Sequence, residues 1–380
     1  MTVEDLQQAR ALFAKDIRQQ GHIKSQGLIE GLARVPRENF VGPGPWKIMR
    51  EGEYQLTPDD NPRHLYENVL VALDERRRLN NGEPLALLLF LDSLALSAGD
   101  RFLHIGCGVG YYTAIAAHAV GAYGAVVGVE IDPTLAARAK LNLQPYGTVK
   151  VLADNGAVDH IGTFDAIFVN AGCTRPQATW LDQLAVGGRL LIPFTVEIPS
   201  MPGIGAGSML LVTRDETEYR AKFTLSVGIF HCVGARSAEE EALLAKAFAG
   251  GSPQSVCRLR RDVHELGPNC WFHASDFCLE SDPARRQAPR ELALDSDVLA
   301  NYVGRYQLAP KVVLTVTLRD GSLFAQSPGG PEIPIYPESE KKFFYKAVDA
   351  QISFVTDATG RATGLVLQHG GSEVPAQRVD

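Results

Sequence analysis

The stretch RFLHIGCGVGYY places Gly106, Gly108 and Gly110 between an apolar run and a helix-forming one. Glycine lets the chain turn tightly and lets a ligand come close to the backbone, and a helix start adds N–H donors. VVGVEID then ends in Glu130, twenty residues after Gly110, the separation at which a carboxylate meets ribose hydroxyls in nucleotide-binding α/β folds. A third run, VKVLADNGA, carries Asp154 at its end. Such groups at the carboxyl ends of successive strands mark the edge where open α/β sheets bind ligands, so a bound nucleoside is expected.

A second set of residues suits a reaction partner. In LNNGEPLALLL, Pro84 fits the first position of a helix, which leaves Asn80, Asn81 and Gly82 at its entrance, either as an ordinary cap or as a seat for an anion. Glu83 would repel a carboxylate there unless it points away, toward Arg76, Arg77 and Arg78. NAGCTRPQATW offers Asn170 and Thr174 as hydrogen-bonding groups, Arg175 as a carboxylate partner and Trp180 as a wall. The alternative is a polar loop with a core tryptophan. His104, on a strand, reads as a core histidine, and His118 and His160 are weak general-base candidates. Cys173 has no partner at a telling spacing. His231, Cys232, His264, Cys270, His273 and Cys278 form a loose patch, but Trp271 and Phe272 inside it look like a buried strand whose cysteines are small apolar residues. No metal is expected.

These residues must be positioned by regular elements. Residues 1–95 are helix-rich, with VPRENFVGPGPW broken by proline and glycine. From 96 to 235 strands alternate with helices: strands at 102–105, 126–129, 149–152, 166–169 and 189–193, helices near 111–120, 133–143 and 176–184. That pattern predicts an α/β, Rossmann-like, doubly wound parallel sheet. Residues 236–297 open with the helix AEEEALLAKAFAG and form a mixed connector. Residues 298–380 turn to short β segments, with a two-residue hairpin at Asp320-Gly321, and predict a separate antiparallel β domain.

Bulk composition narrows the classes. A chain of 380 residues, 45% hydrophobic, can bury a full core in two or three domains. The net charge of −7 gives no general attraction to nucleic acid or anionic membranes. MTVEDLQQAR lacks a basic-then-apolar leader pattern and the longest apolar run, Leu85 to Leu91, stops at Asp92, so a cytoplasmic location is expected. Six cysteines without a CxxC pair indicate no disulfide framework.

The loop spacing GCGVGYY departs from the GxGxxG of dinucleotide folds and turns attention to S-adenosylmethionine (SAM). FLHIGCGVGYYTA, GAVVGVEIDPTLAARAKLNL, VKVLADNGA, FDAIFVNAG and LAVGGRLLIPF, preceded by RVPRENFV, follow the motif order of the class I methyltransferases. Over residues 25–230 the chain most resembles the protein-L-isoaspartate O-methyltransferase family. The resemblance implies that Gly106, Gly108 and Gly110 line the methionine part of SAM, Glu130 holds the ribose and Asp154 faces the adenine amino group. Cys107, Tyr111, Ile131, Asn155 and Asn170 complete the implied cofactor set. Three departures stand out: His104 replaces the acid usual before the first glycine, Cys107 the usual hydroxyl residue between the glycines, and Asn80, Asn81 and Gly82 a hydroxyl-rich substrate loop.

The implied reaction is O-methylation of a peptide, protein or related carboxylate. Such an acceptor is already an anion at pH 7 and needs no general base. The alternatives are a small metabolite or modified natural-product peptide as acceptor, or a SAM-binding protein without catalysis. At the other end, YVGRYQLAP, LTVTLRDGSLFAQ, YPESEKKFFYKAVDAQISFV and GLVLQHGG resemble, over about 300–379, the small lipocalin-like module appended to β-lactamase-like serine hydrolases.

Overall fold

The computed structural model describes residues 3–50, 52–156, 161–250, 253–282, 291–309, 312–328, 332–345, 350–369 and 372–380. Two compact units emerge, one of residues 1–219 with 228–237 and one of 220–227 with 238–380.

The first unit opens with helices α1 (Val3–Gly21), α2 (Gln26–Arg34) and the single turn α3 (Glu38–Val41), which falls inside the stretch expected to be irregular. Two small hairpins that alternation did not reveal follow: β1 (Lys47–Arg50) with β2 (Glu53–Leu56), and β3 (Ala72–Asp74) with β4 (Leu79–Asn80). Then come α4 (Pro84–Ser93), β5 (Arg101–Ile105), α5 (Tyr111–Val120), β6 (Ala125–Glu130), α6 (Pro133–Asn142), β7 (Val149–Ala153), β8 (Phe164–Val169), α7 (Ala178–Asp182), β9 (Leu184–Glu197) and β10 (Ile204–Arg214).

Strands β9, β8, β5, β6 and β7 lie side by side in that order, all parallel. Phe102, Leu103, His104 and Ile105 of β5 are all buried, as a strand covered on both faces requires. The sheet is not purely parallel, however. β10 pairs antiparallel with β9, from Gly205 opposite Glu197 to Thr213 opposite Arg189. The link between them, residues 198–203, is too short for a crossover helix, so only a hairpin can form. α5 is buried on nearly every side, and α2 lies directly on it: a Cβ on Gly31 would stand 2.8 Å from the Ile115 carbonyl oxygen.

β11 (Tyr219–Phe230) is divided by the boundary, with Arg220–Val227 in the second unit. That unit also holds α8 (Ala238–Gly250) and strands β12 (Val256–Arg260), β13 (Cys270–His273) and β14 (Cys278–Ser281), with β14 paired antiparallel to both β12 and β13. After α9 (Ser296–Ala300), strands β15 (Gly304–Ala309), β16 (Val312–Arg319), β17 (Ser322–Gln326), β18 (Glu332–Pro337), β19 (Lys342–Tyr345), β20 (Ala350–Thr356), β21 (Ala362–His369) and β22 (Ser372–Arg378) form an antiparallel meander closed by β15 on β22. The curved sheet is therefore a barrel. Asp320 (φ +48) and Gly321 (φ +73) make its first tight turn, the left-handed pair that a two-residue hairpin demands. The interior is filled: the Tyr302 ring stacks on Phe354 at 4.6 Å and meets Phe343 at 5.4 Å. Among the described residues no helix is long and apolar enough to cross a membrane.

Candidate functional site

Past the carboxyl end of β5 the chain turns through Gly106, Gly108 and Gly110 at φ of +73, +57 and +92, a region costly for residues with a side chain. The three glycines do different things. A Cβ on Gly110 would stand 2.6 Å from Leu143 Cδ1, and one on Gly106 3.2 Å from the Asn170 carbonyl oxygen, whereas one on Gly108 would meet nothing within 4 Å. Gly108 is thus the position that faces open space, and Gly110 serves the packing of the loop on α6. Asn142 of α6 adds to that grip through its Nδ2 donor to the Val109 carbonyl, at 2.9 Å.

Glu130 closes β6 and is only 6% exposed. Its Oε2 accepts from the Gly108 N–H at 2.8 Å and its Oε1 from the Asp132 N–H at 3.0 Å, so one carboxylate ties the glycine loop to the next strand end. Asp154 is exposed. Its N–H donates to the Glu130 carbonyl at 3.1 Å and its Oδ1 accepts from Asn155 N–H at 2.7 Å. Asn170, past β8, donates from Nδ2 to the Gly106 carbonyl at 3.3 Å. Gly106, Gly108, Glu130, Asp154 and Asn170 are therefore brought together along one sheet edge. Ile131 lies next to Glu130 and, at 48% exposure, offers an uncovered apolar side chain.

Other implied residues turn inward. Cys107 is buried, and that burial pushes its thiol well above the usual range. Tyr111 is 1% exposed, its ring 5.4 Å from Phe40 and 5.8 Å from the Arg37 guanidinium, so it belongs to the core beneath the loop. Trp180 is also buried; its Nε1 donates to the Gly156 carbonyl at 2.6 Å and steadies the loop behind Asp154. Thr174 is fully buried, with Oγ1 accepting from the Ser237 N–H at 3.1 Å, while Arg175 is half-buried. Cys173 does have a neighbour: its buried thiol donates to the Ala171 carbonyl at 3.2 Å, and burial beside the Cys232 thiol holds it well above the usual thiol range.

His104 is a core histidine. It is fully buried, bonds Thr113 Oγ1 through Nδ1 at 2.9 Å and stacks on Phe168 at 5.2 Å; burial drives its pKa down to about 3, so it is neutral. His118 sits in the last turn of α5 beside Tyr146, and His160 lies outside the described residues.

The acceptor loop owes its shape to a residue the sequence left unassigned. Arg37, from VPRENFV, is completely buried and donates to the carbonyls of Leu65 (3.1 Å), Val69 (2.9 Å) and Gly82 (3.1 Å). Tyr112 O–H donates to the same Gly82 carbonyl at 3.1 Å. Asn80 Oδ1 accepts from the Gly82 N–H at 2.9 Å and so closes a local turn. Neither Asn80 nor Asn81 caps α4. That role falls to Asn68, whose Oδ1 accepts from the Leu85 N–H at 2.8 Å and whose Nδ2 donates to Glu83 Oε1 at 2.9 Å. Glu83 accordingly points to Asn68 and not to the arginine run, and burial raises its pKa, with Asn68 and Arg37 opposing. Arg77 instead pairs with Asp132 at 2.6 Å. Asn81 is 6% exposed and its Nδ2 is buried without a hydrogen-bond partner.

The model of the family described as protein-L-isoaspartate(D-aspartate) O-methyltransferase matches residues 7–201, just over half of the chain, and that of a domain of unknown function, DUF3471, matches 288–378. Protein-L-isoaspartate O-methyltransferase 1 of Geotalea uraniireducens is 31% identical over 219 residues, 56% of this chain and 87% of that protein. The Thermotoga maritima protein-L-isoaspartate O-methyltransferase is 30% identical over 186 residues, and there the chain spans only 54% of the relative's length. A solved protein-L-isoaspartate O-methyltransferase aligns over 98% of this chain and all of that one, with a TM-score of 0.49 and 18% identity. On the extent of the family match, this chain belongs to the protein-L-isoaspartate(D-aspartate) O-methyltransferase family.

Proposed function

We propose that this protein transfers a methyl group from SAM to a carboxylate of a protein or peptide. The observation that carries the reading is the cradle at Gly108, where open space faces a backbone whose N–H is fixed by Glu130 at 2.8 Å. SAM supplies a methyl group on a positively charged sulfur. Gly106 and Gly108 would lie along its methionine part, Glu130 would meet the ribose, Asp154 the adenine amino group, and the exposed Ile131 the face of the base. The methionine ammonium finds no acid at position 104, because His104 is neutral and turned into the core.

A carboxylate acceptor needs positioning and exclusion of water more than proton transfer. Asn81 suits the first task, since its unpaired buried amide is a donor waiting for an acceptor oxygen. The C-terminal barrel we take as a lipocalin-like module of the kind appended to hydrolases, a resemblance that assigns it no chemistry. A second reading, a small carboxylic acid or modified peptide as acceptor, is favoured by the loss of hydroxyls from residues 80–82.

Calorimetry with SAM, followed by transfer to an isoaspartyl peptide, its aspartyl counterpart and a panel of small carboxylic acids, separates these readings. Peptide methylation that falls about tenfold in Asn81→Ala, a loss of roughly 1.4 kcal/mol, with unchanged SAM affinity supports the proposal. Turnover on small acids alone would hand the site to the second reading, and SAM binding without any turnover would leave a binding protein.

A further inference from the structure

In the second unit four side chains of the loose His/Cys patch, where no metal was expected, converge. The donor atoms of His264, Cys270, His273 and Cys278 all lie within 4.8 Å of one another. The convergence has a cause in the strand register. Residues three apart on a regular strand point to opposite faces, yet Cys270 and His273 of β13 share one. Cys270 pairs with Glu280 and His273 with Cys278, and a bulge between Cys270 and Phe272 supplies the missing half-step. Cys278 and Glu280, two apart on β14, share that face as well. Glu280 is occupied by Arg260 at 2.6 Å, so the carboxylate leaves the two cysteines and His273 to themselves.

His264 arrives from residues 261–269, which form no helix or strand. That loop brings no apolar anchor: Val263 is 92% and Leu266 72% exposed. Its imidazole is nevertheless aimed. Nδ1 donates to the Asp262 carbonyl at 3.0 Å, which fixes the tautomer and leaves the Nε2 lone pair facing Cys270 Sγ at 3.5 Å. The Gly267 N–H donates to the same sulfur at 3.3 Å, an interaction that favours a thiolate. On the opposite side, His273 Nδ1 is buried without a hydrogen-bond partner.

We propose that His264, Cys270, His273 and Cys278 form a tetrahedral Cys2His2 site for zinc. Bonds of about 2.3 Å to sulfur and about 2.0 Å to nitrogen set a tetrahedral sulfur–nitrogen separation of about 3.5 Å, which the Cys270–His264 pair already has. Two thiolates and two neutral imidazoles balance the charge of a divalent ion. Four protein donors leave no open position, so the ion is structural and holds the loop to β13 and β14. The S2N2 set selects zinc over the harder cations.

Elemental analysis of the purified full-length protein should find one zinc per chain. Cobalt reconstitution should give thiolate charge-transfer absorption and the strong visible bands of a tetrahedral site. His264→Ala and Cys278→Ser should each abolish both, and a chelator should lower the melting temperature of the wild type but not of these variants. Should the variants fail to fold, the cobalt spectrum of the wild type still decides. Absence of metal after growth in zinc together with no cobalt spectrum would overturn the site, and so would a Cys270–Cys278 disulfide in protein isolated without reductant.

Discussion

The glycine-loop edge and the loop at residues 80–82 are held by opposite chemistry. At the edge a carboxylate gathers backbone donors: Glu130 takes the N–H groups of Gly108 and Asp132. In the loop a guanidinium gathers backbone acceptors, as Arg37 takes the carbonyls of Leu65, Val69 and Gly82. Turning N–H groups inward onto Glu130 still leaves the carboxylate beside open space at Gly108, where a ligand can share it. Turning carbonyls inward onto Arg37 commits both of its terminal nitrogens to the fold, while the same loop keeps the buried Asn81 amide without a partner. On the proposed reading Glu130 also meets the ligand, whereas Arg37 positions the loop.

Removing each anchor tests that difference. Arg37→Ala should have the larger effect, because it strands several buried carbonyls at once; roughly 3–5 kcal/mol of stability is expected to go, read as a lowered urea midpoint. Methyl transfer should fall with it while SAM affinity in the folded fraction changes little. A variant that stays as stable as wild type would show that the carbonyls find other donors. Glu130→Gln should cost less stability but weaken SAM binding by roughly 1.5–3 kcal/mol, about tenfold to a hundredfold in the dissociation constant by calorimetry. Equal cofactor losses in both variants would erase the distinction between a binding anchor and a positioning one.

The strands that carry the glycine-loop edge were legible because they are written locally. Strands β5 to β8 are apolar runs that end in glycine, Glu130, Asp154 or Asn170, and each was read within two residues of its bounds. The acceptor loop was not, since its anchors act over long separations. Arg37 reaches Gly82, and Asn68 caps a helix beginning at Pro84. Residue type also does not show depth: Thr174 and Tyr111, both read as site candidates, are buried at 0% and 1% exposure. Antiparallel β10 and the bulge in β13 escaped for the same reason, as neither a hairpin partner nor an extra strand residue leaves a periodic trace.

The smallest effect concerns His104, buried on β5 just before the glycine loop. It contributes nothing to ligand charge at pH 7, and its burden appears only in acid. Burial lowers its folded pKa from 6.5 to about 3, so below pH 6.5 the unfolded chain binds a proton that the folded chain refuses. The sign follows: its contribution is complete above pH 6.5 and is lost as pH falls toward 3. Between pH 7 and pH 5 that amounts to about 2 kcal/mol, measurable as a difference in urea midpoints. In His104→Gln, which removes the proton site and keeps a polar group near Thr113, the acid loss should shrink by that amount, with SAM affinity at pH 7 unchanged. Parallel pH curves for variant and wild type would mean that the folded histidine takes up its proton after all, and that a cation stands beneath the loop where the methionine ammonium would lie.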